Sequence, residues 1–337
     1  MKAAQLKDYG PAENFKITDV PAPKPGPDDV LIRVNYAGLR WGDIMSRNGI
    51  PVKSAKPPFV PGQEAAGVVA EVGDRVTKFK PGDRVTALPH IGAYAEYLSM
   101  PAGERVAKVP DGVPLRDALV YRVNMPTAYL VVHEWAKVQE GESVLVHAAA
   151  GGVGMLCVQI LKRDFKNVKV IGMTSSDEKC KVVLEAGADH AINYKANDYV
   201  AEVEKIVGAK PRGFAPGAPL AGVDVVLNGV AGATLQKDRL VIKRLGRWVL
   251  FGTPAGAEPI NVFAHAYDSI TILPFSMIPF AGTPAYERAQ AFADKWMQTQ
   301  KLTPAVVYPL EQIADIQRAM EAGKTSGKVV FSIAPEN

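Results

Sequence analysis

Cysteine is scarce: two residues, Cys157 and Cys180, in a chain of 337. Both fall in stretches that read as helix. That excludes a disulfide framework and any zinc site built on clustered cysteines. Charge of one sign is also scarce. Lys and Arg number 39 and Asp and Glu 35, for a formal net charge of +4, and no basic run of five or more occurs. Neither a nucleic-acid surface nor an anionic-membrane surface is expected. Long apolar runs are missing. The longest, 270–281, is broken by Pro274, Ser276 and Pro279, whereas a bilayer span needs about 20 apolar residues. The opening Met1-Lys2-Ala3-Ala4-Gln5-Leu6-Lys7 has no apolar core and no cleavage site, so it does not read as a signal peptide. A cytoplasmic protein with no integral membrane segment is the expectation.

Glycine (30) and proline (26) are frequent, so turns punctuate the chain. The first 110 or so residues read as short strands between turns. Segment 30–37 alternates apolar and polar residues, and 65–72 is rich in Val and Ala. The near-copies Gly73-Asp74-Arg75-Val76 and Gly82-Asp83-Arg84-Val85 read as tight turns between strands. From about residue 115 helices alternate with short buried strands. Strands are expected at 143–147, 168–173, 191–193, 223–227 and 247–251, and helices at 153–166, 177–186, 198–207 and 235–243. That alternation predicts a doubly wound parallel sheet in an α/β protein. Between 208 and 222 lies a Gly/Pro/Ala loop that is long for its place. Helices at 286–300 and 310–322 and a strand at 327–333 close the chain.

The strongest chemical motif is His147-Ala148-Ala149-Ala150-Gly151-Gly152-Val153-Gly154. It follows a strand and opens a helix, the context of a dinucleotide fingerprint. Glycines let the backbone approach a pyrophosphate, and the helix N-terminus presents free N–H groups to it. Ala149 stands at the first glycine position of the usual pattern. The competing reading is a tight strand-to-helix turn with no ligand. The second strand runs out into Thr174-Ser175-Ser176, where a site selective for NAD carries an acid for the ribose 2′-hydroxyl. Small hydroxyl residues leave room for a 2′-phosphate, and Lys179 supplies charge, so NADPH is favoured. Asp177, as a displaced ribose-binding acid, is the rival reading, but its place fits a helix N-terminus better.

Several segments together resemble the medium-chain dehydrogenase/reductase superfamily, in its zinc-independent quinone oxidoreductase branch, close to the synaptic vesicle membrane protein group. They are Pro61-Gly62-Gln63-Glu64-Ala65-Ala66-Gly67-Val68-Val69, Pro81-Gly82-Asp83-Arg84-Val85, Thr127-Ala128-Tyr129, the turn 147–154, Asn193-Tyr194 and Gly327-Lys328-Val329-Val330. The resemblance covers essentially the whole chain. It implies a Rossmann NADPH-binding domain (121–264) inserted in a GroES-like, mainly β catalytic domain (1–120 plus 265–337), with the active site in the cleft between them. It also implies a cofactor site. Ala150, Gly151, Gly152 and Val153 would lie at the pyrophosphate. Thr174, Ser175, Lys179 and Tyr194 would lie at the 2′-phosphate and adenosine. Thr127 would lie near the nicotinamide, Asn228 and Val230 at its ribose, with Phe251 and Gly252 on the next loop. Phe275, Ser276 and Met277 would hold the carboxamide. A homodimer through Rossmann edge strands is implied as well.

Metal-dependent relatives have a cysteine in C-x-x-D and a histidine in G-H-E. Here those places read Arg40-Trp41-Gly42-Asp43 and Gly62-Gln63-Glu64. Arginine and glutamine are not zinc ligands, so no metal site is expected. His90 stands alone and reads as a turn or core residue. Reduction of a quinone or an α,β-unsaturated carbonyl remains open, because the conjugated carbonyl already withdraws electrons. The candidate pocket is Arg40, Trp41, Asp43 and Met277. Arg40 either faces an anionic substrate or fills the vacated position by pairing with Asp43 or Glu64, and the second reading is preferred. Trp41 either stacks on a flat substrate ring or does not reach it. Asp43 either acts on substrate or caps a helix at 44–47. Tyrosines that serve as proton donors in relatives are replaced by Met45 and Pro51. An NADPH-dependent quinone or enone reductase is therefore expected. The alternatives are a non-catalytic NADPH-binding protein and an enoyl-thioester reductase, against which Pro51 argues.

Overall fold

The computed structural model describes residues 1–50, 56–211, 217, 220–299 and 304–336. Two compact units divide the chain: 1–123 with 294–337, and 124–293.

The first unit begins with β1 (Lys2–Leu6), β2 (Phe15–Asp19), β3 (Asp29–Leu39), α1 (Trp41–Arg47), β4 (Ala65–Val72), β5 (Arg84–Ala87), β6 (Tyr97–Pro101), β7 (Val106–Lys108) and α2 (Leu115–Leu119). The inserted unit carries α3 (Met125–Tyr129), β8 (Ser143–Val146), α4 (Gly154–Asp164), β9 (Lys169–Thr174), α5 (Asp177–Glu185), β10 (His190–Asn193) and α6 (Tyr199–Val207). It continues through β11 (Val223–Asn228), α7 (Thr234–Val241), β12 (Ile242–Leu250), α8 (Phe263–Ala266) and β13 (Thr271–Pro274). The chain closes with α9 (Pro284–Thr299), β14 (Val306–Pro309), α10 (Ile313–Glu321) and β15 (Val329–Ser332).

In the first unit β3 is the organising strand. It pairs antiparallel with β4, β6 and β15. Val30, Ile32 and Val34 are fully buried, the period-two pattern that seats one face of a strand on a core. They pack with Leu6, Phe59, Tyr94, Phe331 and the α10 residues Ile313 and Ile316. Each such aliphatic side chain contributes about 1.5–3 kcal/mol through burial. Because β15 lies against β3, the last strand of the chain completes a sheet begun by its first forty residues.

The second unit is a six-stranded parallel sheet in the order β10-β9-β8-β11-β12-β13. The order reverses between β8 and β11, which opens a crevice at the carboxyl ends of those strands. Expected strands and helices appear with shifts of a residue or two, except at β12. That strand starts at Ile242, not 247, because Ile242 pairs with Val223 before the register shifts. The unit extends to Ala293, past the expected boundary at 264, because β13 adds to the sheet beside β12. The expected long loop at 208–222 lies partly outside the described residues.

Candidate functional site

The dinucleotide motif sits where β8 ends. Ala148 adopts a left-handed conformation (φ 49°), and the Gly151 N–H donates to its carbonyl at 2.8 Å. Helix α4 then starts at Gly154. A Cβ there would lie 2.3 Å from the Ala148 carbonyl oxygen, so only glycine lets the helix approach the turn this closely. The turn presents the backbone of Ala150, Gly151, Gly152 and Val153 ahead of the helix N-terminus. That is a cradle for a phosphate group, and the residues present fit a dinucleotide.

Thr174 ends β9, and Ser176 is the N-cap of α5, its side chain accepting the Lys179 N–H at 3.3 Å. The Thr174 hydroxyl donates to the Ser176 carbonyl at 3.1 Å and lies 3.0 Å from Cys180 Sγ. Asp177 is the first residue of α5, and its carboxylate accepts from Asn193 Nδ2 at 2.8 Å. It is thus engaged at the helix start. Burial, and then the charge of Lys195, lower the Lys179 pKa. Two ammonium groups beside each other suit an anion. Tyr194 is exposed, and its N–H donates to the Thr174 carbonyl at 3.0 Å, which fixes it beside this corner.

At the end of β11, Asn228 Oδ1 accepts the N–H groups of Val230 and Ala231 at 2.8 and 2.9 Å. Ala231 also has a positive φ, 59°. Phe251, Gly252 and Phe275 line a cavity of about 350 Å³ with Ala231, Leu250 and Ile260. The Thr127 hydroxyl donates to Met277 Sδ at 3.4 Å. So the two residues expected at the nicotinamide end, far apart in sequence, meet. Ser276 Oγ accepts the Ile278 N–H at 3.3 Å, which shapes the same segment. Tyr129 packs on His133 and Phe292 with ring centroids 4.7 and 4.8 Å away.

In the first unit, α1 carries the other candidates. Asp43 is not the N-cap of a helix at 44–47. The helix begins three residues earlier, at Trp41, with Arg40 as N-cap. Asp43 Oδ2 accepts the Arg40 N–H at 3.0 Å from the third helical position, the reciprocal half of a capping box. Asp43 is fully buried. Burial raises its pKa to about 6, against the lowering pull of Arg40. The Arg40 guanidinium donates to Gln63 Oε1 and stands 3.8 Å from Glu64 Oε1, with 31% of its side chain exposed. Gln63 Nε2 donates to Ser46 Oγ at 3.0 Å. Glu64 forms a buried ion pair with Lys328. A Cβ at Gly38 would fall 2.3 Å from the Glu64 carboxylate, so glycine there admits the pair. Burial, and then the charge of Asp43, push the Tyr94 phenol well above its ordinary range. Trp41, half-buried, is the first residue of the helix. His90 is exposed and touches Arg105 at 2.7 Å. Pro51 lies outside the described residues.

The alcohol dehydrogenase GroES-like domain profile matches residues 26–111, and the zinc-binding dehydrogenase profile matches 152–294. The chain is 32% identical to the rat synaptic vesicle membrane protein VAT-1 homolog, covering 100% of this chain and 85% of that protein. It is 33% identical to a probable quinone oxidoreductase of Schizosaccharomyces pombe, over 97% and 95% of the two chains. The chain belongs to the medium-chain dehydrogenase/reductase superfamily, in its zinc-independent, quinone oxidoreductase-like branch. A solved mycobacterial structure complexed with NADPH superimposes with a TM-score of 0.85 at 30% identity, covering 98% of this chain and 100% of that one. One profile is described as zinc-binding, but the residues here do not fit that ion. Arg40 and Gln63 are bonded to each other and supply no ligand pair. Among the described residues no group of three His, Cys, Asp or Glu side chains could hold a metal.

Asp238, a fully buried acid in contact with His147 and Asn228, is not apparent from the sequence. It lies between Lys237 and Arg239 and so looks like part of a solvated charge run. The detectable signal was spacing. Leu235, Asp238 and Val241 are three residues apart, which puts them on one helix face, and all three are buried.

Proposed function

We propose that the protein is an NADPH-dependent, zinc-independent oxidoreductase that reduces a quinone or an α,β-unsaturated carbonyl. The observation that carries this reading is the pairing of two features. A phosphate cradle and a hydroxyl-and-lysine corner sit on the parallel sheet. Arginine and glutamine stand where a metal-dependent relative would need ligands. The similarity to quinone oxidoreductases and to an NADPH complex supports it.

Bound NADPH would supply a hydride. The chain's own residues bind and orient it. The N–H groups around 150–153 hold the pyrophosphate, and Ser175, Lys179 and Tyr194, with Thr174, receive the 2′-phosphate and adenosine. Asn228 and Val230 face the nicotinamide ribose, with Phe251 and Gly252 on the neighbouring loop. Phe275, Ser276 and Met277 hold the carboxamide, and Thr127 fixes Met277. Hydride transfer to a conjugated acceptor then requires chiefly that the two reactants be held in line. The partly exposed Arg40 guanidinium, steadied by Gln63, would offset negative charge growing on the acceptor oxygen, and Trp41 beside it would give a flat ring a surface.

A second reading, a non-catalytic NADPH-binding protein, is favoured by one observation: Met45 stands where the quinone reductase pattern has a tyrosine. NADPH oxidation against a panel of quinones and enones separates the two. Turnover with any of them supports the enzyme, and tight NADPH binding without turnover supports the binding protein.

The protein would form a homodimer through β13. That strand is the outer member of its sheet, and Val262, Phe263, Tyr267 and Ile278 nearby in sequence are 66–86% exposed. Light scattering tests it. A cytoplasmic setting is consistent with the two free thiols. No helix among the described residues is long and apolar enough to cross a membrane.

A further inference from the structure

Asp238 has no part in the chemistry above, yet its carboxylate bonds residues that lead into two of the proposed nucleotide loops. It is 0% exposed. Its Oδ1 lies 2.7 Å from His147 Nε2 and accepts the Tyr199 hydroxyl at 2.9 Å. Its Oδ2 accepts Asn228 Nδ2 at 2.6 Å and Trp248 Nε1 at 3.1 Å. The four partners come from the end of β8, from α6, from the end of β11 and from β12.

Two of these partners lead directly into the nucleotide loops. His147 is followed by Ala148, whose left-handed backbone turns the chain toward α4. Asn228 is oriented by its own bonds. Its amide nitrogen faces Asp238 and the Thr234 hydroxyl (2.8 Å), so its oxygen faces the N–H groups of Val230 and Ala231. Turning that amide over would set nitrogen against backbone N–H and oxygen against carboxylate. Hydrogen bonds to a charged acceptor are short, strong and directional, and a buried carboxylate with its acceptor sites filled does not reorient cheaply.

We infer that Asp238 is a positioning residue for the dinucleotide: its single carboxylate ties the pyrophosphate turn to the nicotinamide-ribose loop, so the two are held in one geometry. The inference rests on the placement of NADPH at these loops and adds the residue that sets their spacing.

The test is NADPH titration, followed by nicotinamide fluorescence, of wild type, Lys179→Ala and Asp238→Asn. Thermal unfolding is recorded on each. Asp238→Asn keeps the size, removes the charge and turns one acceptor into a donor facing donors. The Kd for NADPH is expected to rise roughly tenfold at a temperature where the variant is folded. An unchanged Kd overturns the inference whatever happens to Tm, since a purely structural role would lower Tm alone. If Lys179→Ala also leaves the Kd unchanged, the placement of the cofactor itself has failed. If Lys179→Ala weakens binding and Asp238→Asn does not, the placement stands and the inference falls. Should Asp238→Asn not fold, Tyr199→Phe replaces it by removing one donor, read by amide hydrogen exchange. Faster exchange in both 147–154 and 228–232 supports the coupling. Acceleration confined to α6 or to one of the two segments overturns it.

Discussion

Both units bury carboxylates completely, Asp43 and Glu64 in the first and Asp238 in the inserted one, and the two units treat them in opposite ways. Asp238, in the inserted unit, is surrounded by four side-chain partners. Asp43, in the first unit, accepts one backbone N–H, and burial raises its pKa to about 6. Glu64 beside it is paired to Lys328 through one oxygen, while the other has no hydrogen-bond partner among the described residues. A saturated carboxylate acts as architecture, because every lone pair is spent on fixing a neighbour. An under-bonded cluster stores sensitivity to protons and to the loss of any one member.

The largest expected effect comes from breaking the buried pair. Lys328→Met leaves Glu64 in the core without its main counter-charge and should cost about 3–5 kcal/mol, read by urea unfolding. A loss near zero would mean that Arg40 alone compensates Glu64, and the contrast between the units would weaken.

Next is the pH dependence of Asp43. Below its ordinary value of 3.8 the carboxyl is neutral in both the folded and unfolded chains. As pH rises toward 6 the unfolded chain loses the proton first, so the folded state loses stability across that window. Asp43→Asn removes this loss. Between pH 4 and pH 7 its stability relative to wild type should rise by about 2 kcal/mol. Parallel stability curves would show that Asp43 is ionised at no extra cost.

Two smaller effects address function. Lys179→Ala should weaken NADPH about tenfold and NADH little, because only the former carries the 2′-phosphate. Equal losses would show that the 2′-phosphate lies elsewhere. Arg40→Lys keeps a charge but not a planar fork. It should lower kcat for a conjugated acceptor a few-fold, about 1 kcal/mol, with the Kd for NADPH unchanged. An altered NADPH Kd would assign Arg40 to the cofactor instead.

Much of the fold was legible because it rests on local chemistry. The Val- and Ala-rich segment 65–72 is β4, and the glycine turn with its following βα repeats marked the parallel sheet. What escaped depended on pairing at long range. β13 hides in an apolar stretch broken by prolines and becomes a strand by lying against β12. Ile242 joins β12 because Val223 is its partner. At the candidate site, the glycine turn before α4 and the helix start after Thr174 were readable as local structure from residue type and spacing. Asp238 was not, since a buried acid flanked by Lys and Arg resembles a surface charge run until its four partners fold around it. Asp43 was misplaced by three residues of helix, because arginine is an uncommon N-cap.

In the proposed reaction the chain binds NADPH and passes its reducing power to a conjugated acceptor without a metal. The measurement is NADPH oxidation with chelator-treated protein and a broad panel of quinones and enones. Turnover is expected with at least one acceptor, unaffected by the chelator and faster with NADPH than with NADH. NADPH binding with no turnover across the panel, or activity that disappears with chelation, would contradict it.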